Sequence, residues 1–175
     1  MFGKLTYLFL ALSVVSCSTD TVYDRYRGIG ADGWRRTDTL VFGIGGLHEA
    51  GTYYPVTGIR ISNDYPYTSL TLVAERKTTP ERTTAGAVAP GKKDNEKEVC
   101  PPEEDIRRDT LVYDLTDDHG RFYGPGIGCH HYALPVGSVA LTAGDSLTIS
   151  LYHIMRREHV SGIIDVGVSV SKRPP

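Results

Sequence analysis

Along most of this chain apolar and polar residues alternate one by one, and no long stretch repeats with the period of a helix. Asp38 to Ile44 sets Leu40, Phe42 and Ile44 against Thr39, Val41 and Gly43. Val56 to Ser62 sets Thr57, Ile59 and Ile61 against Val56, Gly58, Arg60 and Ser62. Ser69 to Glu75, Asp109 to Leu115, Ser146 to Met155 and Ile164 to Val170 alternate in the same way, and shorter candidates run from Val22 to Arg27 and from Tyr132 to Leu141. Turn formers punctuate these runs: Gly45-Gly46, Asn63-Asp64 with Pro66, His119-Gly120, Gly124-Pro125-Gly126, Ala143-Gly144-Asp145 and Ser161-Gly162. A strand with one apolar face suits an antiparallel sheet that is wet on the other side. Seven or eight such strands at this spacing predict an all-β antiparallel two-sheet β-sandwich, jelly-roll-like in its topology. The charged stretch Met155–Val160 reads as a short turn of helix.

Two segments break the pattern. The first is the start of the chain, where Lys4 is followed by an apolar run from Leu5 to Val15, interrupted only by Thr6 and Ser13. About 11 residues are too few to cross a bilayer core as a helix. They fit the apolar stretch of a secretory leader, and the run ends in Val14-Val15-Ser16-Cys17, a bacterial lipobox. There the Cys17 thiol accepts a diacylglyceryl group, and small Ser16 exposes the bond to be cut. Residues 1–16 are therefore expected to be removed, with Cys17 as the lipid anchor and 17–21 as a short tether of at most about 18 Å. Residues 22–175 form a single domain, since the mature chain is too short for two ordinary ones.

The second break runs from Lys77 to Arg108. It holds Thr-Thr-Pro, Ala-Val-Ala-Pro-Gly, a mixed charge run from Lys92 to Glu98, and Pro101-Pro102-Glu103-Glu104. Little there can offset the entropy of ordering, so 77–108 is expected to be one long mobile loop. With Cys17 assigned to lipid, Cys100 and Cys129 remain, and the oxidising periplasm permits either a disulfide or two separate thiols. The formal net charge is -2, with no basic stripe, which gives nucleic-acid binding no electrostatic support.

Four blocks of sequence then carry a resemblance. The first is Val22-Tyr23-Asp24-Arg25-Tyr26 with Gly33-Trp34 and Asp38, and the second is Ile61-Ser62-Asn63-Asp64-Tyr65-Pro66-Tyr67-Thr68-Ser69-Leu70. The third is Asp109-Thr110-Leu111 through Leu115 with Asp118, Gly120 and Gly124. The fourth is Ile154-Met155-Arg156 with Gly162-Ile163 and Asp165-Val166-Gly167. In this order they resemble the gliding motility lipoprotein family GldH of the Bacteroidetes, with Asn63-Asp64-Tyr65-Pro66-Tyr67 the most specific piece. Segment 77–108 is longer than the family pattern and inherits nothing from it. The resemblance implies an outer-membrane lipoprotein that serves the gliding machinery and, through it, type IX secretion. It implies no enzymatic activity and no cofactor. The alternative is a lipid-anchored glycan-binding module. Ser18 places no retention aspartate after the cysteine, and no dense acidic export run follows it, so the expected location is the outer membrane facing the periplasm.

The remaining motifs weigh little. Gly28 to Gly33 spells GxGxxG but lacks the following helix that a dinucleotide site needs. His130 and His131 would point to opposite faces of a strand, so no metal site is expected. Asp117-Asp118-His119-Gly120 reads as a turn. Trp34, Tyr65 and Tyr67 are the aromatics most suited to contact a partner protein or a glycan. The competing reading has Tyr67 packing inward, with Asn63 and Asp64 bonding backbone amides at a corner.

Overall fold

The computed structural model describes residues 20–81 and 104–175. Among the described residues eleven strands follow one another: β1 (Thr21–Gly28), β2 (Trp34–Arg35), β3 (Leu40–Ile44), β4 (Gly51–Ser62), β5 (Ser69–Thr79), β6 (Asp105–Asp114), β7 (Cys129–Pro135), β8 (Val139–Leu141), β9 (Ser146–His153), β10 (His159–Val160) and β11 (Ile163–Ser171). One main sheet has the order β1-β11-β4-β7, with β8 also on β4, the second has β3-β9-β5-β6, and β2 and β10 form a separate two-stranded pair. β7 and β8 act as the two halves of one strand beside β4. Apart from the β5–β6 hairpin, each successive long strand then changes sheet, which is the strand order of a jelly roll. Cys17, Cys100 and most of segment 77–108 lie outside the described residues, and so does the question of a Cys100–Cys129 bridge.

The alternation explains the core. Thr57, Ile59 and Ile61 turn inward from β4, Leu70, Leu72 and Ala74 from β5, Leu111 and Tyr113 from β6, and Leu147, Ile149, Leu151 and His153 from β9. The apolar ones bury into one cluster with Val166, Val168 and Val170 of β11. The two sheets are also joined by a buried polar contact. Tyr113 Oη on β6 lies 2.6 Å from Thr57 Oγ1 and donates to the Thr57 carbonyl at 3.0 Å, while Thr57 Oγ1 reaches the Leu134 carbonyl at 3.1 Å. Burial pushes the Tyr113 phenol up. Tyr113→Phe strips these buried groups of a partner and is expected to lower stability by about 1–3 kcal/mol in urea unfolding.

Three local expectations change. The β5–β6 hairpin runs into both ends of segment 77–108, pairing Lys77 with Ile106 and Thr78 with Asp105. In β11 the register shifts between Ile163 and Asp165, so Ile163 is buried while Ile164 is 39% exposed. The bulge moves the alternation by one residue there. Met155–Val160 forms bends rather than a helical turn, because its last two residues, His159 and Val160, pair with Arg35 and Trp34.

Candidate functional site

The register of the first sheet builds a cluster on its outer face. Tyr26 of β1 is paired with Gly167 of β11, which is paired with Gly58 of β4. Neither glycine has a side chain, so a shallow trough crosses two strands, and the Tyr26 ring lies in it. A Cβ on Gly167 would come within 2.5 Å of the ring. The Tyr26 hydroxyl continues to Nε2 of His131 on β7, at 3.1 Å. In the adjoining row the Arg60 guanidinium sits 5.0 Å from the ring centroid and grips Asp165 through Nε–Oδ1 at 2.7 Å and Nη2–Oδ2 at 2.5 Å. Burial, then the nearby Asp24 carboxylate, pushes the Tyr26 phenol up, and Asp165 raises Arg60. The period-two reading alone misses this cluster. Its signal was a glycine in the interior of each of two strands, a mark of close approach by another group.

The end of the sandwich opposite the start of β1 is closed by the aromatics singled out in the sequence. Trp34 is 1% exposed; its Nε1–H donates to the Asp38 carbonyl at 3.1 Å and its ring meets His153 edge-on at 5.5 Å. Gly33 allows this, since its φ of 83° is left-handed and its Cα sits close against the Val160 backbone. Tyr65 is 5% exposed, its hydroxyl donating to the Ser69 carbonyl at 3.1 Å, and half-buried Tyr67 meets it edge-on at 5.6 Å. Neither Trp34 nor Tyr65 therefore offers a face to a sugar or partner, because both fill the end of the sandwich. The corner chemistry also differs from expectation: the Asp64 amide donates to Ser62 Oγ, and Asn63 Oδ1 turns to His130 Nε2 at 2.9 Å.

His130 and His131 do face opposite ways. His130 stacks on Phe122 at 4.2 Å and contacts the Gly124 carbonyl through Nδ1 at 2.9 Å. Asp117 accepts the backbone amides of His119 and Arg121, both at 2.9 Å, and Gly120 has φ 76°, which makes this segment a turn. The Arg121 amide, first among these contacts, holds the Asp117 carboxyl below its usual range. Beyond the turn Tyr123 and Ile127 stand free, 64% and 104% exposed. Among the described residues, no three His, Cys, Asp or Glu side chains converge as a metal would require.

The comparisons with known proteins decide the lineage. The sequence profile of the GldH lipoprotein family matches residues 21–88 and 97–170. The chain belongs to the GldH lipoprotein family. A relative named "Gliding motility lipoprotein GldH homolog", from Christiangramia forsetii, is 24% identical over 180 residues, covering 98% of this chain and 96% of its own. The residues that carried the resemblance meet in space: Tyr26 of the first block rests on Gly167 of the fourth, and Tyr65 of the second backs onto Gly162. The family's lipoprotein character agrees with a membrane-anchored envelope protein.

His153 gives this end a pH dependence. It is 1% exposed, its Nε2–H donates to the Trp34 carbonyl at 3.1 Å, and Nδ1 has no partner. Burial lowers its pKa below the ordinary 6.5; the Trp34 carbonyl and the charges of Arg36, Glu158 and Asp38 modulate that shift. The unfolded chain then binds a proton that the folded one refuses, so this contribution is complete above pH 6.5 and is lost as pH falls below it. Urea midpoints at pH 7.5 and 5.5 are expected to drop more for the wild type than for His153→Gln; equal drops would contradict this.

Proposed function

We propose that this protein is a non-enzymatic, lipid-anchored accessory component of the gliding motility machinery and its associated type IX secretion apparatus. It sits in the outer membrane, faces the periplasm, and works by binding other envelope proteins. One observation carries the reading: the family match begins at residue 21, directly behind the lipobox cysteine, and runs to residue 170. The surface supports protein partners over glycans. Of the aromatics that might have stacked on sugars, Trp34 and Tyr65 are buried and Tyr67 is half-buried against the core, whereas Val41 on β3 and Ile106 and Val112 on β6 are 44%, 48% and 53% exposed on the outer face of the second sheet. Strands β1 and β6 also leave one edge unpaired among the described residues, and open strand edges are surfaces that proteins use to dock. Affinity purification from gently solubilised envelopes tests the proposal. Recovery of motility or secretion components is expected; recovery of none would overturn it. Protease shaving that removes the protein from intact cells would overturn the periplasmic orientation.

A further inference from the structure

We infer that β1 is a mechanical clamp, with Tyr26 as its key, that carries load between the membrane anchor and the domain. The inference rests on the reading of Cys17 as the anchor. Three residues beyond Cys17, the Asp20 carbonyl already accepts the Lys172 amide at 3.1 Å, and β1 begins at Thr21. Any force on the anchor therefore enters the domain through β1. Among the described residues this strand is an edge strand whose backbone ladder runs only to β11, from Thr21 opposite Ser171 to Gly28 opposite Asp165, with the Ile29 amide closing the far end on Ile164. Most of its residues are exposed, so little core packing holds it.

Direction decides how such a strand yields. The start of β1 and the end of β11 lie together, while the Asn63–Thr68 corner and the Leu115–Gly128 connection lie at the other end, roughly 26 Å along β1. A load applied at that far end pulls β1 along its own axis, and its ladder bonds resist together. A load applied at the C-terminus peels β1 from Thr21 onward, one bond after another.

Sliding is the way a sheared strand fails, and here the register is keyed. A slip of one residue turns every β1 side chain to the wrong face. A slip of two keeps the face but moves the Tyr26 ring out of the Gly167–Gly58 trough. It then meets either Asp165 and Arg60 or Ser169 and Val56, the neighbouring rows of β11 and β4. Only the glycine row lets the ring cross β11 and β4 to reach His131.

Single-molecule pulling on the mature chain tests this, with a handle in front of Ser18 and Cys17→Ser, Cys100→Ser and Cys129→Ser removing stray thiols. The second handle is placed either at Ile127→Cys or after Pro175. At equal force the Ile127 geometry is expected to survive more than about tenfold longer than the Pro175 geometry. Tyr26→Ala is expected to shorten the first lifetime by about tenfold, which corresponds to about 1.4 kcal/mol of barrier, and to leave the second within about twofold. Tyr26→Phe keeps the ring and should keep most of the lifetime. Gly167→Ala fills the trough and should reproduce the Tyr26→Ala loss, which covers the case where Tyr26→Ala does not fold. Equal lifetimes in the two geometries, or equal shortening in both by either variant, would overturn the clamp. Because the chain is pulled without its lipid, that outcome is separate from any failure of the anchor itself.

Discussion

Replacing Trp34 by Ala is expected to lower the unfolding free energy by about 3–5 kcal/mol, a large share of the roughly 5–15 kcal/mol typical of a single domain. The size follows from its position. Trp34 is the chain's single tryptophan, is 1% exposed, and belongs to the main core cluster. Its removal leaves a cavity at the closed end of the sandwich, strips the aromatic cover from His153, and leaves the Asp38 carbonyl without the indole donor. Trp34→Phe restores part of the volume but not the hydrogen bond and should cost less than half as much. Circular dichroism in urea is the proper readout, since the substitution removes the main fluorophore. A loss under about 1 kcal/mol would mean that the end of the sandwich is looser than this packing implies.

Cys17→Ala carries the other large effect, and it is all or none. If Cys17 is the anchor proposed above, no diacylglyceryl group is attached without the thiol, and the acyl chains would supply the stable membrane attachment at about 0.8 kcal/mol per buried methylene. Cell fractionation is expected to show the variant absent from the outer membrane, with the leader uncleaved or the domain released. Since β1 starts only at Thr21, the fold should survive, and the purified variant should match the wild type in urea unfolding. A variant that stays in the outer membrane would contradict the anchor. A variant that is displaced yet still copurifies with its partners would show that the domain, rather than the lipid, chooses them.

Much of the architecture is legible in the sequence. β3, β4, β5, β6 and β9 follow the period-two pattern closely because each buries one face against a shared core, so local sequence and tertiary environment demand the same thing. The jelly-roll order could be expected only in outline, as strand spacing does not say which edges meet. The misses have physical causes. The bulge in β11 swapped Ile163 for Ile164, and a one-residue register shift leaves no local mark. The ends of segment 77–108 became strand because pairing across the hairpin stabilises residues whose own composition favours a loop. Trp34 and Tyr65 were candidates for contact because aromatics near turns suit both a core and a binding face. What buried them was backbone closeness at Gly33 and Gly162, invisible until Val160 and Tyr65 are placed beside those glycines. The Tyr26 cluster was hidden for the same reason: Tyr26, Gly58, His131 and Gly167 are far apart in sequence and are aligned only by strand register.

The central claim is that a jelly roll of the GldH family is tied to the membrane by lipid on Cys17, immediately ahead of its first strand. Intact-mass analysis of the native protein extracted from membranes addresses it without any substitution. The expected mass is that of a chain beginning at Cys17 plus two or three acyl chains on a glyceryl-cysteine. A mass equal to an unmodified chain, whether uncleaved or cut at another residue, would contradict it.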